Sequence, residues 1–166
     1  MTEADDASLS GVLEKIAFSL TECIDFAAQD SETTAAKVRL LTAAATYFNL
    51  LSLADFGGRV APARDVRLVE QVIAAAFQTY EGHDPHPSPF DKAAMLLRGI
   101  TQGHPFNDGN KRTGFLTVAY YLAQMGYPLP ATLPVDVIAN VCLRVSAGEL
   151  RDVWEIAQMI RSLWSD

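Results

Sequence analysis

Cysteine is scarce. The chain of 166 residues has only Cys23 and Cys142. Each lies on an apolar face without C-x-x-C or Cys/His spacing, which argues against a disulfide framework and a zinc site. Long apolar runs are missing as well. Charged residues or prolines interrupt every candidate, so no segment has the length a bilayer demands. Positive charge is in deficit: twenty acidic residues against thirteen basic ones give a net charge of −7. That balance repels a phosphate backbone and speaks against general nucleic-acid binding. The opening Met1-Thr2-Glu3-Ala4-Asp5-Asp6 lacks the basic region of a signal peptide. The expectation is therefore a cytoplasmic protein with no membrane or nucleic-acid partner, whose two thiols are small core residues. Alternating strand patterns are absent beyond a few residues.

What is present is helical spacing. The residues are 49% hydrophobic and 20% charged, the balance of a folded domain. Leu9, Val12, Leu13, Ile16, Leu20, Cys23 and Ile24 predict an amphipathic helix over about 8–28. Val38, Leu41, Ala45, Phe48 and Leu51 share one face of an alanine-rich helix over about 33–54, which stops near Gly57-Gly58. Residues 57–64 then predict an irregular or hairpin loop. Asp65 caps a helix over 66–80, and Ser88-Pro89-Phe90-Asp91 starts another that ends at Gly103. A further helix starts at about 108–110 and runs to Gly126, and the prolines of 127–134 break the chain. Two last helices follow over about 135–145 and 149–165, the second with a capping box at Ser146-Ala-Gly-Glu149. The apolar stripe of that helix, with Trp154 and Trp164, is expected to pack on the core. The fold class is all-α: a compact bundle of six or seven helices with a short flap or hairpin ahead of the segment that carries chemistry.

That segment is His104-Pro105-Phe106-Asn107-Asp108-Gly109-Asn110-Lys111-Arg112. Gly109-Asn110-Lys111 opens a helix, where backbone N–H groups lack intrahelical partners and the helix dipole adds positive charge. Gly109 lets a phosphate approach the backbone, and Lys111 and Arg112 add full charges suited to phosphate oxygens. Asp108 beside bound phosphates implies a divalent cation, Mg²⁺, between them. His104 supplies an imidazole, which can take a proton from an incoming hydroxyl. Phe106 is expected to point into the core and anchor the loop. Taken singly, His104 reads as a helix cap, Asp108 as an N-cap, and Lys111 and Arg112 as solvated charges. Taken together, the nine residues suit phosphoryl or nucleotidyl transfer.

The same nine residues resemble the active-site loop of the Fic/Doc (Fido) superfamily, with its pattern H-x-F-x-[D/E]-[G/A]-N-[G/K]-R. The likeness extends from near Gly57 to near Tyr127, so that 57–127 form the recognisable region of a single domain spanning 1–166, with 1–55 an N-terminal helical extension. The resemblance implies that His104 is the general base, Asp108 the Mg²⁺ ligand, and Gly109, Asn110, Lys111 and Arg112 the cradle for phosphates. It also implies that Gly57, Gly58, Arg59 and Val60 form a flap that docks a target segment as an added strand. Lys111 stands where Fic nucleotidyltransferases usually carry glycine, and Phe115 stands where they carry a second arginine. Both features are similar to the Doc branch, toxins that phosphorylate elongation factor Tu with ATP and are held in check by an antitoxin protein. Asp-Gly before Asn110 and Pro105 after His104 depart from Doc and follow Fic. Self-inhibition through Ser10…Glu14 is disfavoured, since Lys15 breaks its pattern and the partner arginine is missing. The resemblance thus implies a Doc-like phosphoryl transferase. The alternatives are a nucleotidyltransferase and a catalytically silent binding module.

Overall fold

The alanine-rich stretch folds as α1 (Thr34–Phe56), the longest helix among the described residues, in a computed structural model that describes residues 33–56 and 65–165. The helix expected over 8–28 and the loop over 57–64 lie outside the described residues. Alanine has the highest intrinsic helix propensity, and Ala43, Ala44 and Ala45 let neighbours pack close along α1. Five more helices follow: α2 (Val66–Ala75), α3 (Pro89–Gly103), α4 (Asn110–Gln124), α5 (Val135–Ser146) and α6 (Val153–Leu163). Among the described residues there is no strand, only an antiparallel bridge between Tyr80 and His83. No helix there is long and apolar enough to cross a membrane.

The helix α3 sits at the centre and packs against α2, α4, α5 and α6. Its buried side chains, Phe90, Ala93, Ala94, Leu96, Leu97, Ile100 and Thr101, lie on more than one face, as a central position requires. Gly114 lies where α4 crosses α3: a Cβ there would meet Thr101 Cγ2 at 3.2 Å and Leu97 Cδ1 at 3.3 Å. The missing side chain lets the two helices bracketing the 104–109 loop approach closely. Against the outer side of α4 lies α1, which also packs on α2.

Local caps form as read. The Asp65 carboxylate accepts from Arg67 N–H at 2.9 Å, and the Ser88 hydroxyl from Phe90 N–H at 3.2 Å. Three local readings are corrected. The helix α2 ends at Ala75 rather than Tyr80, because Phe77 turns inward to meet the Tyr121 ring edge-on at 5.9 Å while Tyr80 stays exposed. The last helix begins at Val153, not at Glu149. Its N-cap is Asp152, accepting from Glu155 N–H at 3.0 Å, whereas Ser146 closes α5 and Glu149 pairs with Arg144 at 3.7 Å. That start sets the phase of α6. Ile156, Ala157, Ile160 and Leu163 face the core, and Trp154 points away with 66% of its surface exposed. Trp164 does pack inward, against Phe115 at 6.1 Å between ring centres. In the first turn of α3, the Lys92 ammonium bonds Asp84 at 2.6 Å and lies 5.4 Å from the centre of the Phe77 ring. That ammonium holds the Asp84 carboxyl below its ordinary range.

Candidate active site

The end of α3 is unusual. The left-handed position falls on His104 (φ 45°) rather than on Gly103, which remains the last helical residue. A non-glycine residue there costs on the order of 1 kcal/mol, and the surrounding structure must enforce it. What enforces it lies in the next six residues. Pro105 and Phe106 are buried, with Phe106 only 2% exposed. The Asn110 carboxamide grips the Phe106 backbone from both sides: Phe106 N–H donates to Oδ1 at 3.0 Å, and Nδ2 donates to the Phe106 carbonyl at 2.9 Å. Phe106 thus anchors the loop as the sequence implied, with His104 before it and Asn107 and Asp108 after it exposed at the surface.

Gly109 is the N-cap of α4, with φ +75° and no side-chain capping bond. Its N–H donates instead to Asp108 Oδ1 at 2.6 Å. A Cβ at this position would lie 3.2 Å from both Asn49 Nδ2 and Ser52 Oγ on α1, so dihedral angle and space both call for glycine. The first turn of α4 therefore presents the uncapped positive end of a helix, with Lys111 exposed beside it. Arg112 is half-buried and donates from Nη1 to the Ser52 carbonyl at 3.2 Å.

These groups line one cavity of about 920 Å³. His104, Asp108, Gly109, Asn110, Lys111 and Arg112 all contribute to its wall, while Gly57, Gly58, Arg59 and Val60 lie outside the described residues. The rest of the wall is mainly apolar: Phe48 and Leu51 of α1, Phe115 and Leu116 of α4, Leu133, and Val135, Ile138, Ala139, Cys142 and Leu143 of α5. A polar rim on an apolar chamber is the usual build of a small-molecule site. Burial pushes the Cys142 thiol up to about 11, against the pull of nearby Lys111. At neutral pH that thiol is protonated, so it is a wall residue and not a nucleophile. The carboxylate of Asp108 is a hard oxygen donor exposed on the rim. One such group fits a Mg²⁺ bound mainly through substrate phosphates.

Sequence reasoning missed Asn49 and Ser52. Both are buried polar residues on α1, and Asn49 Nδ2 donates to the Asp108 carbonyl at 2.7 Å and to Thr113 Oγ1 at 3.0 Å. The one available signal was an Asn and a Ser three apart in an otherwise apolar stretch, Phe48 to Leu53.

Residues 40–122, half of the chain, match the Fic/DOC family. Toxin Doc of Mycolicibacterium smegmatis is 37% identical over 81 residues, which cover 49% of this chain and 62% of that protein. A Fido domain-containing protein of Dictyostelium discoideum is 34% identical over 71 residues, covering 42% of this chain and 50% of that protein. The match thus spans less than two thirds of either relative.

Proposed function

The chain belongs to the Fic/DOC family, and on that premise we propose that it is a Doc-like transferase, moving the γ-phosphoryl group of ATP onto a hydroxyl side chain of a target protein. The observation that carries this reading is the shared cavity wall: an imidazole, a carboxylate, an uncapped helix N-terminus and two cations surround one chamber. His104 takes the proton of the target hydroxyl as its oxygen bonds the γ-phosphorus, and the bond from that phosphorus to the bridging oxygen breaks, releasing ADP. The first-turn amides of α4, Lys111 and Arg112 receive the phosphate charge. Asp108 would hold a Mg²⁺ that, when bound, offsets charge on the phosphates. Asn110, its carboxamide committed to Phe106, acts by shaping the cradle rather than by reaching into it with its side chain.

Lys111 favours phosphoryl transfer. It fills cradle space that glycine leaves open in the nucleotidyltransferases, and so favours a different seating of the nucleotide. The Asp108-Gly109 pair supports nucleotidyl transfer as the second reading. The flap at Gly57–Val60 would align the target segment by its backbone. Similarity to a toxin supports a growth-arresting role in the cytoplasm, a translation factor such as elongation factor Tu as target, and a separate antitoxin protein as partner. The test supplies the chain with purified elongation factor Tu, Mg²⁺ and ATP labelled at the γ- or the α-phosphate. Label from the γ position alone is expected; label from the α position moves the assignment to nucleotidyl transfer. His104→Ala is expected to lose transfer, and persistent labelling would remove His104 from the role of base.

A further inference from the structure

We infer that Asn49, on α1 and outside the nine-residue segment 104–112, is a positioning residue for the transfer reaction: it fixes the Asp108 backbone and the first turn of α4 to one point on α1. This rests on the phosphoryl-transfer reading above.

A carboxamide that is 3% exposed must have its hydrogen bonds satisfied inside the protein, or its burial is costly. Asn49 satisfies its amide in a specific way. Both bonds leave Nδ2, one to the Asp108 carbonyl at 2.7 Å and one to Thr113 Oγ1 at 3.0 Å. The acceptors stand on opposite sides of Gly109, one on the loop and one in the first turn of α4. A single amide group therefore spans the joint at which loop becomes helix. Ser52 reinforces it: its hydroxyl donates to the Asn49 carbonyl at 3.1 Å, and its own carbonyl accepts Arg112 at 3.2 Å. Gly109 lies directly under the pair. The proposed metal carboxylate, the phosphate-binding turn and the proposed phosphate arginine are thus all referenced to residues 49–52 of α1. Phosphoryl transfer is almost wholly a matter of positioning and charge, so an error in this spacing appears in turnover more than in ground-state binding.

Asn49→Ala removes both bonds, and Asn49→Asp keeps the shape but sets an acceptor against the Asp108 carbonyl. Each is compared with the wild-type chain at a temperature where all are folded, by γ-phosphate transfer from MgATP and by amide hydrogen exchange over residues 106–113. For Asn49→Ala we expect kcat to fall about a hundredfold, the size of a displacement of about 1 Å, with a smaller change in KM for ATP and faster exchange at Gly109 to Arg112. For Asn49→Asp, which keeps the shape and lacks the donor, kcat should fall at least as far as in Asn49→Ala, with the same faster exchange. Unchanged kcat in either variant, or unchanged exchange at the loop, overturns the inference. A wild-type chain that transfers no label overturns the underlying reading instead, and Asn49 loses its catalytic meaning with it.

Discussion

Asn110→Ala separates two roles that the same residue can play. As a phosphate ligand, Asn110 would contribute to nucleotide binding and little to the stability of the empty protein. As the clamp seen in the structure, it holds the Phe106 backbone through two bonds of 2.9 and 3.0 Å and is only 8% exposed. Alanine leaves the Phe106 N–H and carbonyl without those partners in a buried setting. Each orphaned group costs about 1–3 kcal/mol. The two together cost about 2–6 kcal/mol, and partial relaxation toward water or shifted partners brings the loss to about 2–4 kcal/mol. A protein of this size loses about 2–4 °C of Tm per kcal/mol, so Asn110→Ala should melt roughly 5–15 °C below wild type without any nucleotide present. Thermal unfolding followed by circular dichroism measures this directly. Adding MgATP should raise the wild-type Tm by mass action and raise the variant's less, since the loop no longer holds its shape. If the nucleotide-free variant melts within about 2 °C of wild type, the clamp argument is wrong and the side chain is free to serve as a ligand.

Gly109→Ala places a side chain at φ +75° and 3.2 Å from Asn49 Nδ2 and Ser52 Oγ. It should destabilise by about 1–3 kcal/mol and lower transfer more than tenfold; a fully active variant would show that α1 does not press on this turn. At alkaline pH, burial raises the Tyr121 hydroxyl from 10.0 to about 12, with a lesser push from Asp84. Burial likewise raises the Cys142 thiol from 9.0 to about 11. Both folded values lie above the unfolded ones, so this stability is whole below about pH 9 and is lost as pH climbs through 11–12, about 2–3 kcal/mol for each group. Tyr121→Phe should therefore unfold at a higher pH than wild type in a base titration; an unchanged midpoint would refute the assigned burial cost.

The legible parts of this fold are those whose causes are local. Asp65 and Ser88 cap their helices because a short side chain reaches an amide two residues on. Helix periodicity gave the existence and order of all six described helices. Where a distant partner intervenes, local reading failed. The inward turn of Phe77 shortens α2, and the start of α6 at Asp152 rotates Trp154 out of the stripe that its spacing had suggested. The Lys92 ion pair with Asp84 was equally invisible, since nothing in the first turn of a helix announces what the preceding loop will bring to it.

For the site the division is sharper. A run of nine residues is enough to set out an imidazole, a carboxylate, a helix start and two cations, because chemistry written in consecutive positions needs no fold to be seen. What the fold adds is assignment within that run. The Asn110 carboxamide turns inward to the Phe106 backbone. Asn49 and Ser52 enter from positions some sixty residues earlier in the chain, and α5 supplies the apolar wall opposite. Those bonds join residues 59 to 64 positions apart, and no periodic pattern encodes a contact whose partners meet only when two helices pack.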